Sequence, residues 1–141
     1  MGIVQLRKLP DLVSRRRGNW SRLREVFGQW EDLFEFQRVD AATFSPFGFG
    51  FIVRDTAPFT RSELRGHLLD FGIESRPIIA GNIVRQPVMR GGPHVVVGDL
   101  VMADRIWRGG VSIGCHQGIT EEDIEYVARV MENFVVAKGT R

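Results

Sequence analysis

The sequence predicts an α+β domain, built from a small, three-stranded, mainly antiparallel sheet with helices packed on one side. Two observations lead to this class. Four helical segments alternate with three short strand segments along 141 residues. Most connections between them are too short for the crossovers of a large parallel sheet. The length fits one domain with a core of its own.

The first helix is predicted over residues 3–30, where apolar side chains recur three and four positions apart. This stripe comprises Leu6, Leu9, Val13, Trp20, Leu23, Phe27 and Trp30. Pro10 must kink the helix or mark its real start, because proline lacks a backbone N–H donor. A long helix that bends near its beginning is typical of a connector from a further unit. Residues 1–30 are therefore expected to be a connector helix, and residues 31–141 the domain itself.

The first strand is predicted over residues 44–54. Alternation places large apolar side chains on one face and glycines on the other. The apolar face comprises Phe47, Phe49, Phe51 and Val53. Gly48 and Gly50 on the other face predict close packing against another segment. Residues 73–79 and 111–115 are the second and third predicted strands.

Helix 60–71 carries clear start and stop signals. Thr60 is a predicted N-cap, and Glu63 three residues later completes a capping box. Gly72 supplies a left-handed stop. The residues of this helix that are predicted to be buried are Leu64, Leu68 and Phe71.

Helix 120–136 repeats this arrangement, with Thr120 as N-cap and Asp123 as its capping-box partner. Its inward residues are predicted to be Ile124, Val127, Met131, Phe134 and Val135. A further helix is predicted over residues 99–108, with Asp99 as N-cap.

A candidate binding site lies between the second strand and helix 99–108. Arg76, Asn82, Arg85 and Gln86 follow closely on one another in a glycine-containing segment. Guanidinium groups match phosphate and carboxylate oxygens, so this group predicts a site for an anionic, hydroxyl-rich ligand. Each residue also has a structural interpretation: an ion pair with Glu74 or Glu63 for Arg76, a turn for Asn82 and simple solvation for Arg85.

His116 follows the third strand beside glycines, where it is a candidate acid, base or ligand donor, or a partner of the backbone. Cys115 is predicted to be buried and inert. A single cysteine cannot form an internal disulfide, which fits a reducing compartment, so a cytoplasmic location is expected.

Several function classes lack their motifs. The sequence has no phosphate-binding loop, nucleophile elbow, paired-carboxylate site or metal-ligand spacing. Its only lysines are Lys8 and Lys138, neither in a pocket-like context. No apolar run is long enough to cross a membrane. The arginines of residues 15–24 allow a nucleic-acid interface, but a solvated helix face is the preferred interpretation.

The order of several motifs resembles the C-terminal domain of the DegT/DnrJ/EryC1/StrS sugar aminotransferase family. They are Arg17-Gly18-Asn19, Phe47-Gly-Phe-Gly-Phe-Ile-Val53, Gly72-Ile-Glu-Ser-Arg-Pro77, Ala80-Gly-Asn-Ile-Val-Arg-Gln-Pro87 and Gly118-Ile-Thr-Glu-Glu122. The segment 80–87 is most similar to the PLP-dependent nucleotide-sugar 3-dehydratases of lipopolysaccharide biosynthesis. Arg108-Gly109-Gly110 and Gln117 depart from the family pattern at the edge of the pocket.

This resemblance implies a parent enzyme whose large PLP domain is absent here. Residues 1–30 would be the connector helix from that domain and residues 31–141 the C-terminal small domain of a fold-type I PLP-dependent transferase. The expected partners of the parent are a nucleotide-linked keto-deoxysugar, an amino donor and a second subunit, with no nucleic acid and no membrane.

The same resemblance implies that this chain is inactive alone, with no catalytic residue and no bound PLP. The residues expected to contact substrate are Arg76, Asn82, Arg85, Gln86 and His116. Dehydration and transamination both remain open, and the alternative is a free-standing binding module for nucleotide sugars or other anions.

Overall fold

The computed structural model describes residues 2–39 and 44–139, which form four helices and four strands. In chain order these are α1 (Gly2–Phe27), β1 (Phe34–Phe36), β2 (Gly48–Val53), α2 (Arg61–Asp70), β3 (Ser75–Arg76), α3 (Val101–Gly109), β4 (Gly110–Gly114) and α4 (Glu121–Ala137). Short 3₁₀ turns lie at Gly28–Trp30, Ile83–Arg85 and Pro87–Arg90.

The sheet has the order β1-β2-β4-β3, and every neighbouring pair is antiparallel. The α+β class is therefore confirmed. Strand β1 was not predicted, so the described sheet has four strands rather than three. The predicted strand 73–79 is wrong outside Ser75 and Arg76. The ladder with β4 ends at Arg76 because the next residue, Pro77, has no backbone N–H to donate, and Ile79 then adopts a left-handed backbone with φ of 45°.

The core lies against the apolar face of the sheet. Phe49, Phe51 and Val53 are the buried residues of β2, at every second position. The ring centroid of Phe27 from α1 lies 5.1 Å from the ring centroid of Phe49 and 5.2 Å from that of Phe51. Helices α1, α2 and α4 pack on this side. The prediction for Phe47 is wrong: it is 93% exposed because it precedes the paired part of β2. The apolar face of the strand therefore begins at residue 49.

The opposite face of the sheet carries the glycines. Gly50 lies under Ile78, whose Cδ1 atom would be 3.5 Å from an added Cβ, so the predicted close packing is confirmed. Helix α3 also contacts this face, where Arg105 pairs with Glu35 of β1. The prediction that the helices pack on one side of the sheet is therefore correct for α1, α2 and α4. It is wrong for α3, which packs against the glycine face.

Both capping boxes are present. Thr60 and Glu63 begin α2, and Thr120 and Asp123 begin α4. Phe71 is the exception to the predicted burial of helix 60–71, because it caps the end of α2 and is 44% exposed.

Helix α3 starts later than predicted. Leu100 is its N-cap, while the Oδ1 atom of Asp99 accepts from the backbone N–H of Val101 over 3.2 Å. Asp99 therefore contributes to the helix start from one position outside the predicted cap.

Helix α1 has two different halves. Trp20, Leu23 and Phe27 are buried, but Leu6 and Leu9 are 66% and 49% exposed. Pro10 lies inside α1 and does not mark its start. None of the described helices combines the length and apolarity needed to span a bilayer.

Several arginines of α1 are engaged in contacts within the chain. Arg15 pairs with Asp11, Arg22 pairs with Glu25 and Glu121, and Arg16 donates to the carbonyl oxygen of Pro46. These side chains therefore hold α1 to itself, to the start of α4 and to the segment before β2.

Candidate functional site

The segment after β3 is fixed to α3 through one carboxylate. The buried side chain of Asn82 donates from Nδ2 to Oδ1 of Asp104 over 2.7 Å, and its Oδ1 accepts from the backbone N–H of Val84 over 3.1 Å. The amide thus caps the 3₁₀ turn Ile83–Arg85 while holding the turn against α3. Both ends of the Asn82 amide are committed to the fold.

Arg85 forms a two-pronged ion pair with the same carboxylate. Its Nε and Nη2 atoms lie 2.9 Å and 2.7 Å from Oδ1 and Oδ2 of Asp104. The hydrogen bond from Arg85 is the main reason that the pKa of Asp104 falls to about 2, and Asn82 contributes in the same direction. Asp104 was not among the residues predicted for this site, although an acidic residue on a helix beside the arginine-containing segment was an available signal.

Gln86 and Gly81 complete this attachment. The Nε2 atom of Gln86 donates to the carbonyl oxygen of Ala80 over 3.1 Å, which closes the segment on itself. Gly81 has φ of 63°, and a Cβ at this position would lie 2.5 Å from the Cα of Trp107. Only glycine fits this close approach. Segment 80–86 is therefore a shaped part of the fold rather than an open loop.

Arg76 and His116 lie apart from this cluster. Arg76 is exposed and pairs with Glu74 over 2.6 Å, as one structural alternative proposed. The Nδ1 atom of His116 accepts from the backbone N–H of Gly118 over 3.1 Å, which shapes the turn between β4 and α4. Among the described residues, no hydrogen bond or ion pair joins either side chain to Asp104. The structure thus groups Asn82, Arg85 and Gln86 and gives Arg76 and His116 separate contacts.

A groove of about 640 Å³ lies between segment 77–88 and the end of α3. Its walls are mainly apolar, with Ile78, Pro87 and the partly exposed Trp107 among them. Arg61 lines one end and donates from Nη1 to the carbonyl oxygen of Trp107 over 2.6 Å. Ile79 stands at the rim, 95% exposed and with positive φ, an unfavourable combination for a branched apolar residue.

A second pocket of about 520 Å³ adjoins the first. It is lined by the end of β2, the start of α2 and the end of α3, and Arg61 belongs to both pockets. Its charged residues are Arg54, Arg61, Arg108, Asp55 and Glu63.

Neither pocket offers a lysine for a Schiff base. Lys138 pairs with Glu63 over 2.6 Å and lies over the ring of Phe134, and Lys8 is on the exposed part of α1. Cys115 is buried, as predicted, and burial raises the pKa of its thiol, which disfavours the nucleophilic thiolate. The described residues therefore provide no lysine in a pocket that could bind PLP covalently.

A model of the DegT/DnrJ/EryC1/StrS aminotransferase family matches residues 1–132. The chain belongs to this family. It is 32% identical over 133 residues to GDP-4-keto-6-deoxy-D-mannose 3-dehydratase of Yersinia pseudotuberculosis. This match covers 94% of the chain and 33% of the relative. It is 31% identical over 134 residues to the lipopolysaccharide biosynthesis protein RfbH of Salmonella typhimurium, over 94% of the chain and 31% of the relative. The chain thus spans about a third of the length of these curated relatives.

Solved structures agree on the fold. E. coli GDP-4-keto-6-deoxy-D-mannose-3-dehydratase with bound hydrated PLP matches 92% of the chain and 33% of its own, with a TM-score of 0.82 and 31% identity. An aminotransferase from Psychrobacter cryohalolentis matches 99% of the chain and 38% of its own, with a TM-score of 0.86 but only 17% identity. The family and fold expected from the sequence motifs are confirmed.

Proposed function

We propose that this chain is the C-terminal small domain of a PLP-dependent nucleotide-sugar 3-dehydratase of lipopolysaccharide (O-antigen) deoxysugar biosynthesis. The observation that supports this is the level of identity. The chain shares 30–32% of its residues with dehydratases over about 94% of its length. Two aminotransferase structures of the same fold share only 17% and 22%. Dehydration is therefore preferred over transamination.

The proposed role of the chain is to position substrate, not to carry the cofactor. PLP supplies an electron sink when it is bound in an enzyme of this class. Neither pocket of the described residues offers a lysine that could bind PLP covalently, so these residues take no part in its chemistry. Arg76, Asn82, Arg85, Gln86 and His116 remain the proposed substrate-side residues. The contacts of Asn82 and Arg85 with Asp104 support a role in which they hold segment 80–86 in shape.

The proposed partners follow the relatives. One dehydratase structure contains a trapped PLP-glutamate adduct, and another contains GDP-perosamine. For the complete protein we infer a GDP-linked 4-keto-6-deoxy sugar as substrate, glutamate as amino donor, a homodimeric assembly and a cytoplasmic location.

Product analysis tests this proposal. The longer protein that the proposal requires is incubated with PLP, nitrogen-labelled glutamate and GDP-4-keto-6-deoxymannose, and the sugar product is examined by mass spectrometry. A dehydratase gives a product that has lost the 3-hydroxyl group and carries no label. A labelled amino sugar would instead identify an aminotransferase, and turnover by the isolated chain would contradict the proposed division of labour.

A matched pair of variants tests the role of segment 80–86. Arg85→Ala is expected to lower turnover, because the segment loses its ion pair with Asp104. Arg90→Ala removes a nearby exposed arginine and is expected to leave turnover near the wild-type level. Equal effects of the two variants would count against a specific role of the segment.

A further inference from the structure

Two pockets of different chemistry meet at Arg61. One is the mainly apolar groove that contains Trp107, and the other is the pocket that contains Arg54 and Arg108. Trp107 and Arg108 are consecutive residues at the end of α3, so the two pockets are also joined along the chain. A ligand that lies across both would need a flat apolar part and an anionic part.

We propose that these pockets form a binding site for a nucleoside diphosphate, with the base in the Trp107 groove and the diphosphate in the arginine pocket. The inference deepens and rests on the proposed function, since it places the nucleotide half of the nucleotide sugar on residues that the sequence motifs did not single out. Base–aromatic stacking and guanidinium–phosphate pairing are the two interactions that such a ligand uses most.

The groove is held open by contacts that do not involve a ligand. Gly81 packs directly on the backbone of Trp107, and Asp104 binds the neighbouring turn through Asn82 and Arg85. Trp107 is 39% exposed, whereas Trp20 and Trp30 are each 7% exposed in the core. A partly exposed indole in a preformed, mainly apolar groove is available for stacking.

Gln86 adds a polar group to this groove. Its Nε2 atom is used by the carbonyl oxygen of Ala80, so the amide is fixed in orientation. The Oε1 atom is left as an acceptor for an N–H group of a base. This single acceptor supports a ligand ring that carries donors, as guanine does.

The second pocket gathers three guanidinium groups from three elements. Arg54 follows β2, Arg61 is the first residue of α2, and Arg108 lies near the end of α3. Arg108 is exposed and makes no hydrogen bond or ion pair with any described residue, although its charge contributes to the lowered pKa of Asp104. Its N–H donors can therefore turn toward an anion in this pocket.

Two carboxylates also line this pocket and oppose an anion. That of Glu63 is already bound by Lys138 and by the N–H and hydroxyl of Thr60, while Asp55 is the remaining counter-charge. Arg54 is already engaged in part, because its Nε donates to the carbonyl oxygens of Glu31 and Phe34 and its Nη1 lies 3.9 Å from the Glu35 carboxylate. The positive charge of Arg61 and Arg108 still exceeds the charge of Asp55 in this pocket. Binding is expected to weaken as ionic strength rises.

Calorimetric titration of the chain with three probes tests the proposal. GDP carries both halves of the ligand, guanosine carries only the base, and inorganic pyrophosphate carries only the anion. Arg108→Gln is expected to weaken GDP and pyrophosphate about tenfold and to leave guanosine unchanged. Trp107→Leu is expected to weaken GDP and guanosine at least fivefold and to leave pyrophosphate unchanged.

Arg129→Gln, on the distant and exposed part of α4, is the matched control and should bind all three probes as the wild type does. If Trp107→Leu fails to fold by circular dichroism, Arg108→Gln decides alone, since Arg108 makes no hydrogen bond or ion pair with a described residue that the substitution would break. The absence of saturable GDP binding, or GDP binding that Arg108→Gln leaves unchanged, would overturn the proposal. Neither result bears on product analysis of the longer protein, so the two proposals fail separately.

Discussion

At the scale of single residues, one carboxylate organises the segment that the sequence analysis singled out. Asp104 accepts three hydrogen bonds, from Nδ2 of Asn82 and from Nε and Nη2 of Arg85. The donors could be recognised from their residue types and close spacing. Their acceptor could not, because it lies on another element and a non-local pair leaves no periodic signal. The same limit applies to Arg76, whose partner Glu74 was only one of the alternatives.

The Asp104 ion pair predicts a specific dependence of stability on pH. Folding lowers the pKa of this carboxyl from 3.8 to about 2, chiefly through Arg85. Its contribution to the free energy of unfolding is therefore complete above pH 3.8 and is lost as the pH falls toward 2. Asp104→Asn removes that ionisation, so the variant should be less stable at neutral pH and should lose less stability on acidification.

Urea unfolding at several pH values measures this effect. The carboxyl groups of Glu63 and Asp123 also have lowered pKa values, but they titrate in both proteins and cancel in the difference. Asp70→Asn, at the exposed end of α2, provides the control and should follow the wild-type profile. Parallel profiles for wild type and Asp104→Asn would show that the ion pair does not contribute to folding.

At the scale of elements, the two helix starts that carry capping boxes were predictable, whereas the start of α3 and the short strands were not. A capping box is a local pattern of two residues, and both boxes are formed as the sequence indicated. Strand β1 has only three residues, too few to establish an alternation, and it exists because it pairs with β2. β3 has two residues and depends equally on β4. Strands of this length are defined by their neighbours rather than by their own residues.

The start of α4 carries an element-scale prediction. The hydroxyl of Thr120 accepts from the backbone N–H of Asp123 over 3.2 Å, and the Asp123 carboxylate accepts from the backbone N–H of Thr120 over 2.8 Å. Thr120→Ala should lower the free energy of unfolding by about 1 kcal/mol. Thr120→Ser keeps the hydroxyl and should lose less than half of that. Chemical denaturation compares the two, and equal losses would assign the effect to the methyl group instead of the cap.

At the scale of the whole molecule, the two halves of α1 differ in burial. The apolar spacing of α1 is continuous, yet Leu23 is 1% exposed while Leu6 is 66% exposed. Periodicity identifies a face that is suited to burial but does not say what buries it. The sheet and α4 cover the second half of α1. The apolar residues of the first half are exposed to solvent. Because the chain spans about a third of its relatives' length, this exposure agrees with the connector role proposed for residues 1–30.

This division predicts opposite responses from substitutions in one stripe. Leu6→Gln combined with Leu9→Gln should change the free energy of unfolding by no more than about 0.5 kcal/mol per substitution, because neither side chain is in the core. Leu23→Ala should cost about 2–5 kcal/mol, since it opens a cavity beside the sheet. In sedimentation velocity, the wild-type chain should self-associate through its bare apolar face as concentration rises, and the double variant should remain smaller. A double variant as unstable as Leu23→Ala would mean that the first half of α1 already belongs to the core of this domain, and the connector role would have to be abandoned.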